Sequence, residues 1–312
     1  MIARDTIAAA ARRLDGAVRR TPVLRLGAAL PGLADAHLTL KLELLQYTGS
    51  FKPRGAFNRL LAARASGGVP AAGVIAASGG NHGAAVAFAA RTLGLAAEIF
   101  VPEPTPTAKC DRISGYGARL QRAGADYAGA FAACCARAAA TGALAVHAYD
   151  DAAVIAGQGT LGRELEQQAP ELTHLLVAAG GGGLLAGIAT WYAGAVRVIG
   201  VEPEACPTLH AARAAGRPVP VATGGLAADS LGAREAGAQV FPLIAAHVAD
   251  LVLVPDAAIR AAQRWLWEEL RVLAEPGGAT ALAGLLSGAV RPGAGARVGI
   301  VVCGGNTGLI PD

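Results

Sequence analysis

The sequence predicts an α/β fold in which mostly parallel sheets are flanked by helices. Three observations carry this reading. Short apolar runs recur along the chain, most of them end in a glycine loop, and the loops lead into Ala-rich stretches long enough for a helix. Strands covered on both faces read as continuous apolar runs, which is the pattern of a parallel sheet with helices on either side.

Taken in order, Gly73–Ala77 is a strand that leads through Ser78-Gly79-Gly80-Asn81-His82-Gly83 into the helical segment Ala84–Leu93. Glu98–Val101 is a second strand, closed by the turn-rich Pro102–Thr107. Leu175–Ala179 leads through Gly180, Gly181, Gly182 and Gly183 into helical Leu184–Tyr192. Val196–Val201 is another strand, stopped at Pro203, and Ala214–Gly225 reads as a surface connection. Val298–Cys303 is the last strand, followed by Gly304-Gly305-Asn306-Thr307-Gly308. In such sheets ligands collect beyond the carboxyl ends of the strands, where these loops sit.

Composition narrows the class. The chain has 312 residues, 53% of them hydrophobic and 16% charged, with a net charge of +4. That excludes a disordered chain and a disulfide scaffold, and leaves room for one large domain or two lobes. Basic residues form no Lys/Arg stripe and aromatics are few, so nucleic-acid binding has no support. Ala65–Ala90 and Leu172–Val196 lack any charged residue, yet glycine clusters interrupt both, which argues against membrane spans. Five cysteines with no CxxC pair, and no secretory leader in Ile2–Ala11, set the expectation of a cytoplasmic protein with reduced thiols. Among 27 basic residues only Lys41, Lys52 and Lys109 are lysines. A genome rich in Arg, Ala and Gly codons accounts for the bias. Each remaining lysine is then a candidate for imine chemistry, which a guanidinium cannot do.

Lys52 stands in Ser50-Phe51-Lys52-Pro53-Arg54-Gly55-Ala56. Ser50 reads as an N-cap and Pro53 fits a first helical turn, which puts Lys52 at a helix N-terminus. The macrodipole disfavours a cation there, and a lysine with a lowered pKa is what Schiff-base formation requires. The plainer alternative is a solvated lysine in a surface turn. Gly180–Gly183 before a helix offers successive backbone amides to a phosphate, although a tight packing turn has the same composition. It is neither the dinucleotide fingerprint nor a Walker loop. The Ser78–Gly83 loop likewise offers amides suited to a carboxylate, and His82 reads as either a base or a structural residue.

These segments, with Gly157-Gln158-Gly159-Thr160 and Cys303-Gly304-Gly305-Asn306, occur in an order that resembles the fold-type II pyridoxal-phosphate enzymes. The serine/threonine dehydratase branch is the most similar, and the match runs from about Arg20 to Gly308. The resemblance implies a two-lobed fold of the tryptophan synthase β type. Residues 1–66 and 149–312 would form a large cofactor-binding domain and 67–148 a small mobile substrate-binding domain. It implies that Lys52 holds pyridoxal 5′-phosphate as a Schiff base with Phe51 against the ring. Asn81 would bind the ring's phenolic oxygen, and Gly180, Gly181, Gly182, Gly183 and Leu184 the phosphate. Cys303 would face the pyridine nitrogen, while Ser78, Gly79, Gly80, Asn81 and His82 bind the substrate carboxylate. Lys41 would belong to a strand Leu38–Leu42, and Lys109 to a helix start after the Pro-rich turn.

The activity implied is a dehydratase (ammonia-lyase) that converts L-serine, L-threonine or a related β-hydroxy amino acid to a 2-oxo acid and ammonia. Alternatives are a cysteine synthase-like β-replacement enzyme, an amino-acid racemase, or a non-catalytic binding protein of the same fold. A neutral thiol at the ring nitrogen favours prompt loss of a β-leaving group over a long-lived carbanion, although Cys303 reads equally well as a buried small residue ending a strand. Serine racemases of this family usually carry a second serine after Ser78, where this chain has Gly79. Many relatives hold a divalent cation at a Glu-Pro sequence with an acid six residues on. Glu202-Pro203 is present, but position 208 is Thr208, so no metal site is expected. The resemblance also suggests a homodimer. Tyr149, Asp229, Ser230 and Arg234 fall in segments that could reach the pocket.

Overall fold

A computed structural model describes residues 2–27 and 37–308. The chain opens with α1 (Arg4–Arg13), β1 (Val23–Leu26), β2 (His37–Lys41) and α2 (Lys52–Ala65). Then come β3 (Val74–Ala77), α3 (Asn81–Thr92), β4 (Ala97–Val101), α4 (Thr107–Gly115), β5 (Arg119–Arg122), α5 (Tyr127–Thr141) and β6 (Leu144–Ala145). The remainder is α6 (Ala152–Gln168), β7 (His174–Ala178), α7 (Gly183–Tyr192), β8 (Arg197–Pro203), α8 (Thr208–Ala215), α9 (Ala228–Leu231), α10 (Val240–His247), β9 (Asp250–Val254), α11 (Asp256–Leu270), α12 (Pro276–Leu286) and β10 (Arg297–Val301).

The strands form two sheets. One has the order β1-β2-β10-β7-β8-β9 and the other β5-β4-β3-β6. Every pairing is parallel except that of the edge strand β1 with β2. All four residues of β3 are buried, as are four of the five in β7, which is why these strands read as unbroken apolar runs. The two charge-free stretches resolve into strand, loop and helix: β3 with α3, and β7 with α7. Among the described residues no helix is long and apolar enough to cross a membrane.

The core lies between the sheets and their helices. Leu38, Leu40, Leu175–Ala178, Ile300 and Val301 pack with α7 and α12 around the larger sheet. Val74, Ala76, Ile99 and Val101 of the smaller sheet pack with α3 and with Ala56, Phe57 and Leu60 of α2. Helix α2 is therefore held against the smaller sheet while its first turn faces the larger one.

Glycines in α6 set how closely α2 can be held. A Cβ at Gly157 would fall on the Arg54 carbonyl and the Gly55 backbone of α2, and one at Gly159 on the Gly187 carbonyl of α7. Thr160 in the same segment returns its hydroxyl to the Gly157 carbonyl at 2.7 Å. The Gly157-Gln158-Gly159-Thr160 sequence is thus the close-packing face of a helix wedged between α2 and α7.

Behind α2 lies a buried ionic cluster. The Arg54 guanidinium donates to both oxygens of Glu43 at 2.5 and 3.0 Å and to Glu164 at 3.0 Å. Lys41 pairs with Glu164 and donates to the Thr21 carbonyl at 2.6 Å and to Gln168 at 2.8 Å. Lys41 and Glu43 are 0% exposed and Arg54 only 1%, while Glu164 keeps a narrow edge to solvent, and the cluster clamps the start of α2 to β2 and α6. Lys41 lies in β2, and its amine has a structural task.

Candidate active site

Lys52 is the first residue of α2, and Pro53 follows within the first turn. The residue flanking the helix is Phe51, already helical in conformation, and no side chain caps it. Ser50 is therefore not the N-cap that its residue type suggests. Its backbone is extended and bridges Gly304, which pulls it out of capping geometry and into the interior. The Phe51 amide donates to the Cys303 carbonyl at 3.1 Å, so the loop after β10 sets the entry into α2.

The Lys52 amine donates to the Ala148 carbonyl at 2.9 Å and lies 5.0 Å from the centroid of the Phe51 ring. It opens on a cavity of about 520 Å³ between the carboxyl ends of strands from both sheets. Withdrawal from water lowers its pKa to about 8, against the opposing pull of Cys303 and Glu275. A neutral amine is thus accessible near physiological pH.

Three strand ends complete the cavity. After β3, Ser78-Gly79-Gly80 runs directly into α3, which begins at Asn81, earlier than the composition suggests. Ser78 Oγ accepts from the Gly80 amide at 3.2 Å. His82 is buried, with Nε2 2.9 Å from the Val146 carbonyl. Burial and then the nearby Lys52 push its pKa down to about 3, so the ring stays neutral and tied to the backbone. After β7, Gly180–Gly182 leads into α7 at Gly183, with Gly182 at φ 89°, a conformation that favours glycine. A Cβ at Gly181 would fall on the Tyr149 ring, and one at Gly183 on the Tyr149 carbonyl. Bare backbone is therefore required there, and it leaves amides at the start of a ten-residue helix.

After β10, Cys303 lies buried at the cavity wall, its Sγ 3.5 Å from the Gly277 carbonyl. Burial, then Glu275, push the thiol pKa up, so it stays protonated. Glu275, which the sequence reading did not single out, is also buried and lines the cavity. Asn81 Nδ2 donates to Glu275 at 2.6 Å, and Asn306 Nδ2 donates to Asn81 Oδ1 at 2.5 Å. Gln158 lines the cavity too, and both polar atoms of its amide lack a partner among the described residues.

The four side chains left unoriented by sequence all reach this cavity. The Tyr149 hydroxyl donates to the Glu235 carbonyl at 3.2 Å. Asp229 pairs with Lys109 of α4 at 2.5 Å, and Arg234 lies 3.6 Å from Asp126, the N-cap of α5. Ser230 sits beside Gly277, where a Cβ would strike its hydroxyl. Every residue proposed from sequence for the cofactor and the substrate carboxylate lines this one cavity. Glu202 does not. Its two oxygens accept from the Leu209 and His210 amides at 2.7 Å each, and burial raises its pKa to about 7. The Thr208 hydroxyl donates to the Ala233 carbonyl at 2.6 Å.

Among known families, the model of the pyridoxal-phosphate dependent enzymes matches residues 14–304. The chain belongs to this family. Its cofactor is pyridoxal 5′-phosphate, and the structure fits it: an amine of lowered pKa on the cavity wall, a glycine amide cradle that tolerates no Cβ, and a buried thiol and a carboxamide lining the same space. The chain is 41% identical over 269 residues to an L-threonine ammonia-lyase of Geobacter sulfurreducens, an alignment covering 85% of this chain and 66% of that one. It is 38% identical to a phenylserine dehydratase of Ralstonia pickettii, covering 97% and 93%. The structure of maize serine racemase superposes with a TM-score of 0.92 at 32% identity, covering 99% and 94%. The chain is thus a pyridoxal-phosphate enzyme of the serine/threonine dehydratase–racemase group, with the α/β fold of fold type II.

Proposed function

We propose that this enzyme is a dehydratase that converts a β-hydroxy L-amino acid to a 2-oxo acid and ammonia by α,β-elimination. The observation that carries this reading is the cavity itself: one amine of lowered pKa, faced by a buried neutral thiol and by a Ser78-Gly79-Gly80 loop of bare backbone. Racemisation needs a second proton donor on the face opposite the lysine. At the position where serine racemases of the family carry a serine for that purpose, this chain has Gly79.

The bound cofactor supplies an electron-withdrawing ring that makes the substrate's Cα–H acidic. Lys52 Nζ serves as the base that removes this proton, a task suited to an amine poised near pH 8. The amides of Ser78 to His82 at the start of α3 hold the substrate carboxylate. The amides of Gly180–Gly183 and Leu184 would hold the phosphate, and Phe51 would pack against the ring. Asn81 would donate to the ring's phenolic oxygen, and Cys303 would face the ring nitrogen as a neutral thiol. The smaller sheet and its helices, residues 67–148, act as the mobile lobe. The Lys109–Asp229 and Arg234–Asp126 pairs join α4 and α5 of that lobe to the larger one at the cavity mouth.

Part of the cavity wall is apolar. Tyr127, Ala128, Pro102 and Pro106 line it beside the Lys109–Asp229 and Arg234–Asp126 pairs, and Tyr127 stacks on Phe131 with centroids 5.9 Å apart. This wall and the likeness to a phenylserine dehydratase favour β-hydroxy amino acids with an apolar β-substituent, L-threonine or phenylserine, over serine.

The test is a product assay. The purified holoenzyme is given L-serine, L-threonine and phenylserine. Release of 2-oxo acid and ammonia in equal amounts, faster than any change in optical rotation of remaining substrate, supports the proposal. Racemisation outpacing ammonia release would overturn it in favour of a racemase.

A further inference from the structure

The carboxylate of Glu275 has no part in the chemistry assigned above, yet it sits at the meeting point of three loops. It precedes α12 and is 5% exposed. Its backbone amide donates to the Gly304 carbonyl at 3.1 Å, which ties it to the loop that carries Cys303. The space for its side chain is reserved: a Cβ at Gly304 would fall on Glu275 Oε1, and one at Gly278 on the Gly304 carbonyl. Into this slot Asn81 reaches from the end of the smaller sheet, donating to Oε1 at 2.6 Å.

A carboxamide offers two N–H donors and one carbonyl acceptor, and its two ends differ only in the partners they find. Asn306 donates to the Asn81 oxygen, so that end is taken. In its ionised form the carboxylate of Glu275 can only accept, and it then fixes the nitrogen on its own side. One Asn81 N–H remains, on a residue that lines the cavity beside Lys52.

We propose that Glu275 is a positioning residue: it holds the Asn81 carboxamide in the one orientation that presents its free N–H to the phenolic oxygen of the bound cofactor. The inference rests on the proposed role of Asn81 and adds what enforces it. Without Glu275 the nitrogen end loses its acceptor, the amide can rotate, and a carbonyl oxygen can turn toward an oxygen of the cofactor. The short charge-assisted contact suits this task, since such bonds are stronger and more directional than neutral ones. Burial raises the Glu275 pKa to about 7, and the Asn81 donor opposes that shift, so the bond to Asn81 favours the ionised form.

The test is a double-mutant cycle read in cofactor affinity, together with the thermal midpoint of the cofactor-free protein. Glu275→Ala, Asn81→Ala and the double variant are compared for the dissociation constant of pyridoxal 5′-phosphate and for the visible band of the bound cofactor. Glu275→Ala is expected to weaken cofactor binding about tenfold and to shift the band. In the Asn81→Ala background the same change should cost nothing further, because a residue that acts through Asn81 has nothing left to orient. Equal losses in both backgrounds, or unchanged affinity in Glu275→Ala, would overturn the proposal. If Glu275→Ala does not fold, Glu275→Gln replaces it. This keeps the volume, is expected to weaken binding less, and should also become silent in the Asn81→Ala background. A wild-type protein that shows no band dependent on Lys52 would instead refute the cofactor site itself, a result distinct from either outcome of the cycle.

Discussion

Lys41 and Lys52 lie eleven positions apart in the chain, and they have opposite fates. Lys41 is 0% exposed and surrounded by acceptors: Glu164, the Thr21 carbonyl and Gln168. Lys52 has one hydrogen-bond acceptor among the described residues, the Ala148 carbonyl, and opens on the cavity. Burial lowers the pKa of both. What separates a structural amine from a reactive one here is access and the number of partners that must be abandoned. Arg54, two residues after Lys52, enters the ionic cluster with Glu43 and Glu164, so the cluster that absorbs Lys41 also fixes where Lys52 points.

The largest effect expected from breaking this contrast is at Lys52. Lys52→Ala should lower 2-oxo acid formation by about 10³-fold or more and abolish the visible band, with the thermal midpoint of the cofactor-free protein little changed. Lys41→Ala should do the reverse. It leaves Glu164 buried with one partner fewer, at a cost of about 3–5 kcal/mol in a chemical denaturation curve, while the protein that stays folded still binds cofactor.

Smaller effects sharpen the picture. Gly181→Ala puts a methyl group into the Tyr149 ring and should weaken cofactor binding about tenfold, measured by equilibrium titration. The pH dependence of cofactor capture by the cofactor-free protein reads Lys52 directly. Only the neutral amine forms an imine, so the rate should rise with pH and reach half its maximum near the lowered pKa of about 8. One unit below that it should be about tenfold slower than its plateau. The smallest effect is expected from metal removal. Both oxygens of Glu202 are taken by backbone amides of α8, so extensive dialysis against EDTA should leave the dehydratase rate unchanged.

How much of this was legible in the sequence depends on distance along the chain. The strand–loop–helix units around Val74–Ala77 and His174–Ala178, and the strand and glycine loop at Arg297–Val301, could be read because each is local: an apolar run with glycine punctuation, followed in the first two by an Ala-rich helix. The same locality exposed Lys52 and the Gly180–Gly183 loop. Ser50 misled because capping preference is a weak prior that tertiary context overrides, here through the bridge to Gly304. Glu275 was missed because its partner Asn81 is 194 positions away, and only the apposition of the two sheets brings them together. A local hint did exist. Glu275-Pro276-Gly277-Gly278 opens a helix whose residues are almost all buried, an odd place for an acid without a partner. The ionic role of Lys41 was hidden for the same reason, since Glu164 lies 123 positions further on.

The central claim is that one of three lysines carries the cofactor. Borohydride reduction of the holoenzyme followed by peptide mapping tests it most directly. Loss of the visible band and a single reduced phosphopyridoxyl adduct on the peptide containing Lys52 are expected. An adduct on the Lys41 or Lys109 peptide instead, or no adduct at all, would contradict it.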